Sequence, residues 1–225
     1  MAKGSGVTPL IAVDAVAIDT ETTSLDARQA WVVEIAAIRL AGGALDETAS
    51  LRRRVRPPQS IPPSATRVHG IDDAAVRHEA AFAEVWPEFS AFIGERVVIG
   101  HALGFDLAVI KRECERAGVA LMRPRALDTR LLAEIAAPDL AGYSLDDLAG
   151  WLGVAVTDRH AALGDAATAA RVFLALLPKL RDRGIRTLAE AERACRGLTE
   201  ALTRQHFAGW VEASGAEPID ADERP

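Results

Sequence analysis

Apolar and polar residues alternate over Val13–Thr20, with Val16, Ile18 and Thr20 on one side and Ala15, Ala17, Asp19 and Glu21 on the other. A period of two predicts a strand. Trp31–Leu40 is mostly apolar and predicts a second strand, Gly42-Gly43 a turn, and Leu45–Arg56 a third strand. Three strands with short connections predict an antiparallel meander. Pro57-Pro58 and Pro62-Pro63 then predict a break in regular structure.

Beyond the prolines the period changes. Phe82, Val85, Trp86, Phe89, Phe92 and Ile93 recur at helical spacing, with Pro87 predicting a kink or a late start. Val97–Gly100 is short and apolar, a buried strand. Leu103, Leu107, Ile110, Cys114 and Ala117 form the stripe of a helix, with Gly118 as its C-cap. Ala126-Leu127-Asp128 ends another short strand, and Ser144 with Asp147 opens a helix to about Leu152. Ala161 to about Lys179 is a long alanine-rich helix. A meander followed by alternating strands and helices predicts an α/β domain with a mixed sheet, its parallel strands flanked by helices. The predicted organisation is an N-terminal segment at 1–12, a domain at 13–184 and a helical extension at 185–225 ending in a polar, disordered tail from Ala213.

Composition narrows the classes. With 49% apolar residues in 225, the chain can bury a sizeable core. Cys114 and Cys195 are far apart and form no Cys-x-x-Cys pair, which disfavours a zinc knuckle or a disulfide framework and suggests a reduced, cytoplasmic setting. The apolar run after the polar N-terminus is interrupted by Asp14, a poor signal peptide and no membrane span. The net charge of −6 argues against tight, processive nucleic-acid binding. It leaves room for an enzyme that holds a strand end through cations, because bound divalent ions reverse the local field.

Three segments carry the chemistry. Asp19 and Glu21 are two apart on a strand, so both carboxylates project from one face at its end. Converging carboxylates invite a hard divalent cation; a solvated acidic turn is the plain alternative. Asp106, in Gly100-His101-Ala102-Leu103-Gly104-Phe105-Asp106, lies on the first turn of a helix and faces inward, where a helix-dipole role would suffice. His160 precedes the long helix and Asp165 lies within its first turns, so the carboxylate can reach a site at the sheet edge. His titrates near neutrality and can take a proton from water; a surface His beside a capping Asp is the alternative. No Gly-x-Gly-x-x-Gly follows a strand, which disfavours a dinucleotide fold.

Taken together, these residues resemble the DEDDh family of 3′→5′ exonucleases, of the kind that proofreads for DNA polymerase III, in the ribonuclease H-like fold. Asp19-Thr20-Glu21-Thr22-Thr23-Ser24-Leu25 is similar to the family's opening motif, Val32-Val33-Glu34-Ile35-Ala36 follows at the family's distance, and Val68-His69-Gly70-Ile71 resembles its loop at the terminal nucleotide. The likeness spans about Ala15 to Leu177. Ser24 stands where Gly is usual, and Ala102 where Asn is common.

The resemblance implies two divalent metal ions, Mg²⁺ or Mn²⁺. It assigns Asp19, Glu21 and Asp165 to the nucleophile-side metal, Asp19 as a bridge and Asp106 to the second metal, with His160 as the base for the attacking water. It implies substrate contacts from Thr20, Thr22, Leu25, Val68, His69 and His101; for the two histidines, ordinary loop and helix-start roles are the alternative. Phe105 reads as core, Arg52-Arg53-Arg54 with Arg56 as a charged edge strand that could also touch phosphates, and Lys111-Arg112 with Arg116 as a solvated helix face. The implied partner is the 3′ end of a nucleic acid, single-stranded DNA first and RNA as the alternative, with no membrane. The Val-His-Gly-Ile segment leans toward the proofreading branch over RNA trimmers of the oligoribonuclease kind. A polymerase partner is possible in principle, but no clear clamp-binding Gln-x-x-Leu-Phe motif is seen, so a free-standing enzyme is preferred. A non-catalytic binding module and a small-nucleotide phosphodiesterase are the rivals outside this class.

Overall fold

The computed structural model describes residues 7–213. Five strands form one mixed sheet in the order β3-β2-β1-β4-β5. They are β1 (Ala15–Thr22), β2 (Val32–Ala41), β3 (Ala44–Arg54), β4 (Val97–Gly100) and β5 (Ala126–Asp128). β1, β2 and β3 pair antiparallel as the meander, and β4 and β5 add parallel to β1. The parallel strands β4 and β5 end level at Gly100 and Asp128, and β1 runs on past them in the same direction to Thr22, at the edge where open α/β sheets place their sites.

Alternation along β1 serves two cores. Ala15 and Ala17 face α5 (Thr129–Ala136), α6 (Leu145–Leu152) and α7 (Ala162–Asp182); Val16 and Ile18 face α3 (Phe82–Ile93) and α4 (Gly104–Ala117). The alanines of α7 let that helix lie close over the sheet, whereas Trp86, Phe89 and Ile93 fill the deeper layer on the other face. Each fully buried large side chain contributes about 1.5–3 kcal/mol.

Some elements differ from the sequence expectation. The proline-rich stretch holds a helix, α1 (Pro63–His69), because Pro63 sits at its first position, where a missing N–H costs nothing. Val68 and His69 therefore end a helix, with left-handed Gly70 as its cap, and are not in a loop. A short helix, α2 (Asp73–Val76), follows, capped by Asp72. Pro87 lies inside α3, which starts at Phe82 and not late; Glu84 Oε1 accepts the Ala81 N–H at its start.

The segments flanking residues 13–184 pack on the same body. The turn at Leu10–Ala12 is tied to α8 (Leu188–Arg196), with the Leu10 N–H donating to Arg186 O at 2.9 Å and the Leu188 N–H to Thr8 O at 3.0 Å. Leu10, Leu188, Ala191 and Cys195 share the first core. After α9 (Thr199–Phe207) the chain crosses the start of α4: the Val211 N–H donates to Gly104 O, and Trp210 packs edge-on against Phe105. Phe105 is accordingly a packing residue. The tail expected from Ala213 lies outside the described residues except for Ala213, which is buried. Among the described residues no helix is long and apolar enough to cross a membrane.

A Cβ on Gly104 would lie 2.6 Å from Val211 O. Gly104→Ala should therefore lower the urea midpoint by the equivalent of about 1–3 kcal/mol. An unchanged midpoint would show that residues 208–213 can leave α4 without cost.

Candidate active site

The site forms where β1 ends between two helix starts. Asp19 and Glu21 continue the Ala15–Ala17 face of β1, and Asp165, in the first turn of α7, comes over that face to meet them. One carboxylate oxygen from each of Asp19, Glu21 and Asp165 lies within 4.8 Å of the others. Asp106 arrives from the opposite face, in the first turn of α4. Its Oδ1 accepts from the Thr20 N–H at 2.9 Å and the Thr20 hydroxyl at 2.6 Å. The hydroxyl of Thr20 thus holds Asp106, a different task from the substrate contact that the resemblance implied.

The loop before α7 is held under strain. Asp158 and His160 have φ of 49° and 62°, in the left-handed region. The His160 N–H donates to Asp165 Oδ2 at 3.2 Å. Arg159 forks between Asp146, at 2.8 Å from Nε, and Asp165 Oδ2, at 2.5 Å from its terminal nitrogen. Gly164 is required beneath this loop, since a Cβ there would lie 2.5 Å or less from the carbonyl oxygens of Thr157 and Asp158. Ala161 gives α7 no side-chain cap; the fully buried Glu34 of β2 does so from a distance, its Oε2 accepting the Ala162 N–H at 3.0 Å. Glu34, Arg159 and Gly164 were not singled out from the sequence. The one usable signal was Glu34, a lone charge inside the apolar run Val32-Val33-Glu34-Ile35-Ala36.

The other substrate-side residues are spread around this edge. Thr22 is buried and donates its hydroxyl to Ser24 O at 2.8 Å. Ser24 Oγ in turn accepts the Asp26 N–H, so the serine serves the turn where Gly is usual. Leu25 and Val68 are exposed, at 90% and 51%. His69 Nδ1 accepts the Ile71 N–H, which places the hydrogen of the neutral ring on Nε2. His101 lies 3.1 Å from the Thr129 hydroxyl, and burial lowers its pKa to about 4, keeping it neutral. Ala102 has φ of 54°, a conformation asparagine tolerates better than alanine, and its N–H donates to buried Asp128. Arg116, expected on a solvated face, stacks 3.9 Å over Trp31, and Arg112 reaches Gly209 O.

Burial dominates the electrostatics. It raises the Asp19 pKa well above the usual range, reinforced by Asp106, Glu21 and Asp165. It raises Glu21 to about 8, with Asp165, Glu34 and Asp106 adding to the effect. Asp106 is raised to about 7 by burial, against the pull of the two Thr20 hydrogen bonds, and Asp165 is raised by burial against Arg159. Such a group prefers either protons or cations. The donor set is all oxygen, and Asp165 Oδ1 is buried without a hydrogen-bond partner, so these residues fit hard divalent ions.

Fold and site together define a ribonuclease H-like α/β protein with a carboxylate cluster at the end of its first strand. The Exonuclease family model matches residues 16–173, and the chain belongs to that exonuclease family. It is 38% identical over 183 residues to a DNA polymerase III subunit epsilon-like protein of Rhodobacter capsulatus, covering 80% of this chain and 26% of that one. It is 33% identical to the DNA polymerase III subunit epsilon of Aquifex aeolicus, covering 73% of this chain and 81% of the relative. The chain thus spans only about a quarter of the Rhodobacter relative. Among solved structures, Exonuclease X in complex with 5′ overhanging duplex DNA matches with a TM-score of 0.63 at 24% identity, over 80% of this chain and 99% of that one. Escherichia coli Exonuclease I with a dT13 oligonucleotide matches with a TM-score of 0.66 at 14% identity, over 76% of this chain and 42% of that one. At these identities the structural likeness shows the fold.

Glu21 binds its proton more tightly folded than unfolded. That stability is fully present below the ordinary value of 4.5 and is lost as pH rises through about 8. In EDTA the melting temperature should fall as pH rises across this window, and Glu21→Gln should flatten the fall. Mg²⁺ or Mn²⁺, which replace the protons, should raise it more at the alkaline end than at the acid end. A metal-induced shift that does not change with pH would refute this account.

Proposed function

We propose that this chain is a metal-dependent 3′→5′ exonuclease that hydrolyses the terminal phosphodiester bond of a DNA strand and releases nucleoside 5′-monophosphates. The observation that carries the reading is the convergence of Asp19, Glu21 and Asp165 within 4.8 Å beside the strained His160 loop. Asp19, Glu21, Asp106 and Asp165 would hold two divalent cations, whose chemistry is charge relief on the attacking and leaving oxygens.

The chain's own residues do the rest. His160 takes the proton from the attacking water, and the contact of its N–H with Asp165 keeps base and cluster in register. Thr20 fixes the direction of Asp106. Leu25 and Val68 offer apolar edges to the terminal nucleotide, whereas the Nε2 of His69 is buried. DNA is preferred over RNA because the relatives above 30% identity include DNA polymerase III epsilon and epsilon-like proteins. The Aquifex likeness also favours a second reading, a proofreading subunit held by a polymerase.

The test uses 5′-labelled DNA and RNA oligonucleotides with Mg²⁺, Mn²⁺ or EDTA. A ladder shortening from the 3′ end, abolished by EDTA and faster on DNA, is expected; a faster RNA ladder would overturn the DNA assignment, and intact strands the activity itself. His160→Ala should lower turnover by about 10²-fold while Mn²⁺ binding persists. Activity within a few-fold of wild type would remove His160 from the role of base. Asp19→Ala should lose Mn²⁺ binding and hydrolysis together; retained metal-dependent hydrolysis would rule out its central place.

A further inference from the structure

The edge strand β3 turns its arginines to two sides. Arg53 faces α3, where its Nε and a terminal nitrogen meet the Glu88 carboxylate at 2.9 and 2.5 Å. Arg52 and Arg54 face the other way and converge on Glu34 Oε1, at 2.9 and 3.8 Å. A charged edge that only discourages pairing needs no such convergence.

Strand register shows what the two arginines stand beside. Glu34 pairs across with Arg54 on one side and with Glu21 on the other. Glu21, Glu34 and Arg54 thus form a row across three neighbouring strands, with Arg54 on the order of 10 Å from Glu21 along the sheet. The guanidiniums themselves lie at Glu34, one strand over from Glu21, a position beside the carboxylate cluster that suits the phosphate of a nearby nucleotide.

The charges favour an anion. Glu34 is fully buried and gives its other oxygen to the Ala162 N–H. A single carboxylate opposite two guanidiniums leaves one net positive charge, on side chains 44% and 43% exposed. A guanidinium has five N–H donors in a fixed fork, and Glu34 Oε1 meets both arginines as ion pairs without a hydrogen bond, so it takes up none of those donors. In a chain of net charge −6, a pre-positioned cationic pair beside an acidic site supplies what a polyanionic strand needs in order to approach.

We propose that Arg52 and Arg54, held by Glu34, form a phosphate-binding subsite that grips the polynucleotide backbone away from the bond being cut. The proposal rests on the exonuclease reading and names where that site holds its strand.

The test compares Arg52→Gln/Arg54→Gln with wild type on two substrates. One is a single-stranded oligodeoxynucleotide. The other is the p-nitrophenyl ester of thymidine 5′-monophosphate, which has the scissile phosphate and no other. The ratio of kcat/KM on the oligonucleotide to that on the ester should fall about tenfold or more, mainly through KM. The slope of log KM against log salt should shrink by about 0.7 for each backbone phosphate that the variant no longer holds. Arg52→Lys/Arg54→Lys should recover part of the ratio, since charge remains but the fork does not. An unchanged ratio, whether both activities persist or both fall together, overturns the subsite; a joint fall would mean that the arginines act only by holding Glu34 and α7. Fluorescence anisotropy of a labelled oligonucleotide in EDTA reads the same grip without turnover: weaker binding by the Gln variant supports the subsite, and equal binding overturns it. Failure of the exonuclease reading would show separately, as wild-type protein that binds the oligonucleotide and does not shorten it.

Discussion

Four carboxyl groups crowd the end of one strand, out of water and close to one another, and most of the nearby structure answers that repulsion. Burial alone pushes each of them toward its neutral form, and for Asp19 and Glu21 the neighbouring carboxylates push further. The opposing contributions come from different places: two hydrogen bonds from Thr20 to Asp106, the Arg159 guanidinium on Asp165, and the starts of α4 and α7, whose N–H groups favour nearby negative charge. None of them neutralises the cluster. What remains is a standing preference for cations, so the energy withheld in folding the cluster reappears as affinity for divalent ions.

Such a cluster keeps its geometry only if it is held from both sides of the sheet. From one side, α4 carries Asp106, and the crossing of residues 208–213 over Gly104 keeps that helix start in place. From the other, α7 carries Asp165, with Glu34 capping its first turn and Gly164 admitting the loop above it. Left-handed φ values at Ala102, Asp158 and His160 cost about 1–3 kcal/mol each. They sit in the two segments that lead to Asp106 and Asp165, at residues that are exposed or only partly buried, held by the backbone contacts of His160 with Asp165 and of Ala102 with Asp128. The strain is therefore a consequence of bringing two helix starts to one point.

The parts of this arrangement that follow from local pattern were legible in the sequence. A period of two exposes β1 and places Asp19 with Glu21; a helical period exposes α4 and an alanine-rich run exposes α7, which puts Asp106 and Asp165 near their starts. The parts that depend on contacts distant in sequence were not. Glu34 looks like an interruption of an apolar strand until Ala162, 128 positions away, is seen to donate to it. α1 was hidden because Pro62-Pro63 reads as a breaker, although a proline in the first turn is compatible with a helix. Ala102 could be noted as a departure from the family, but its left-handed φ, which asparagine tolerates better, is visible only in the structure. Thr20 reads as a substrate residue because it lies within the opening motif; the period of two turns it away from Asp19 and Glu21, but only the packing of α4 shows that its hydroxyl donates to Asp106.

The arrangement also bears on how an acidic protein can handle a polyanion. Coulomb repulsion between a strand and a cluster of carboxylates would exclude the substrate from the place where it must react. Cations at the cluster reverse that field locally, within about a Debye length, and leave the negative exterior unchanged. Positive charge outside the cluster then has most value on the rim, close enough to steer a strand and too far to displace the cations. Arg52 and Arg54 meet both conditions, because Glu34 holds their guanidiniums one strand over from Glu21. Arg159 does not, since it pairs with Asp165 itself. The Arg159 guanidinium lowers the repulsion that the carboxylate cluster must bear, and it would compete with any metal ion held by the same carboxylate.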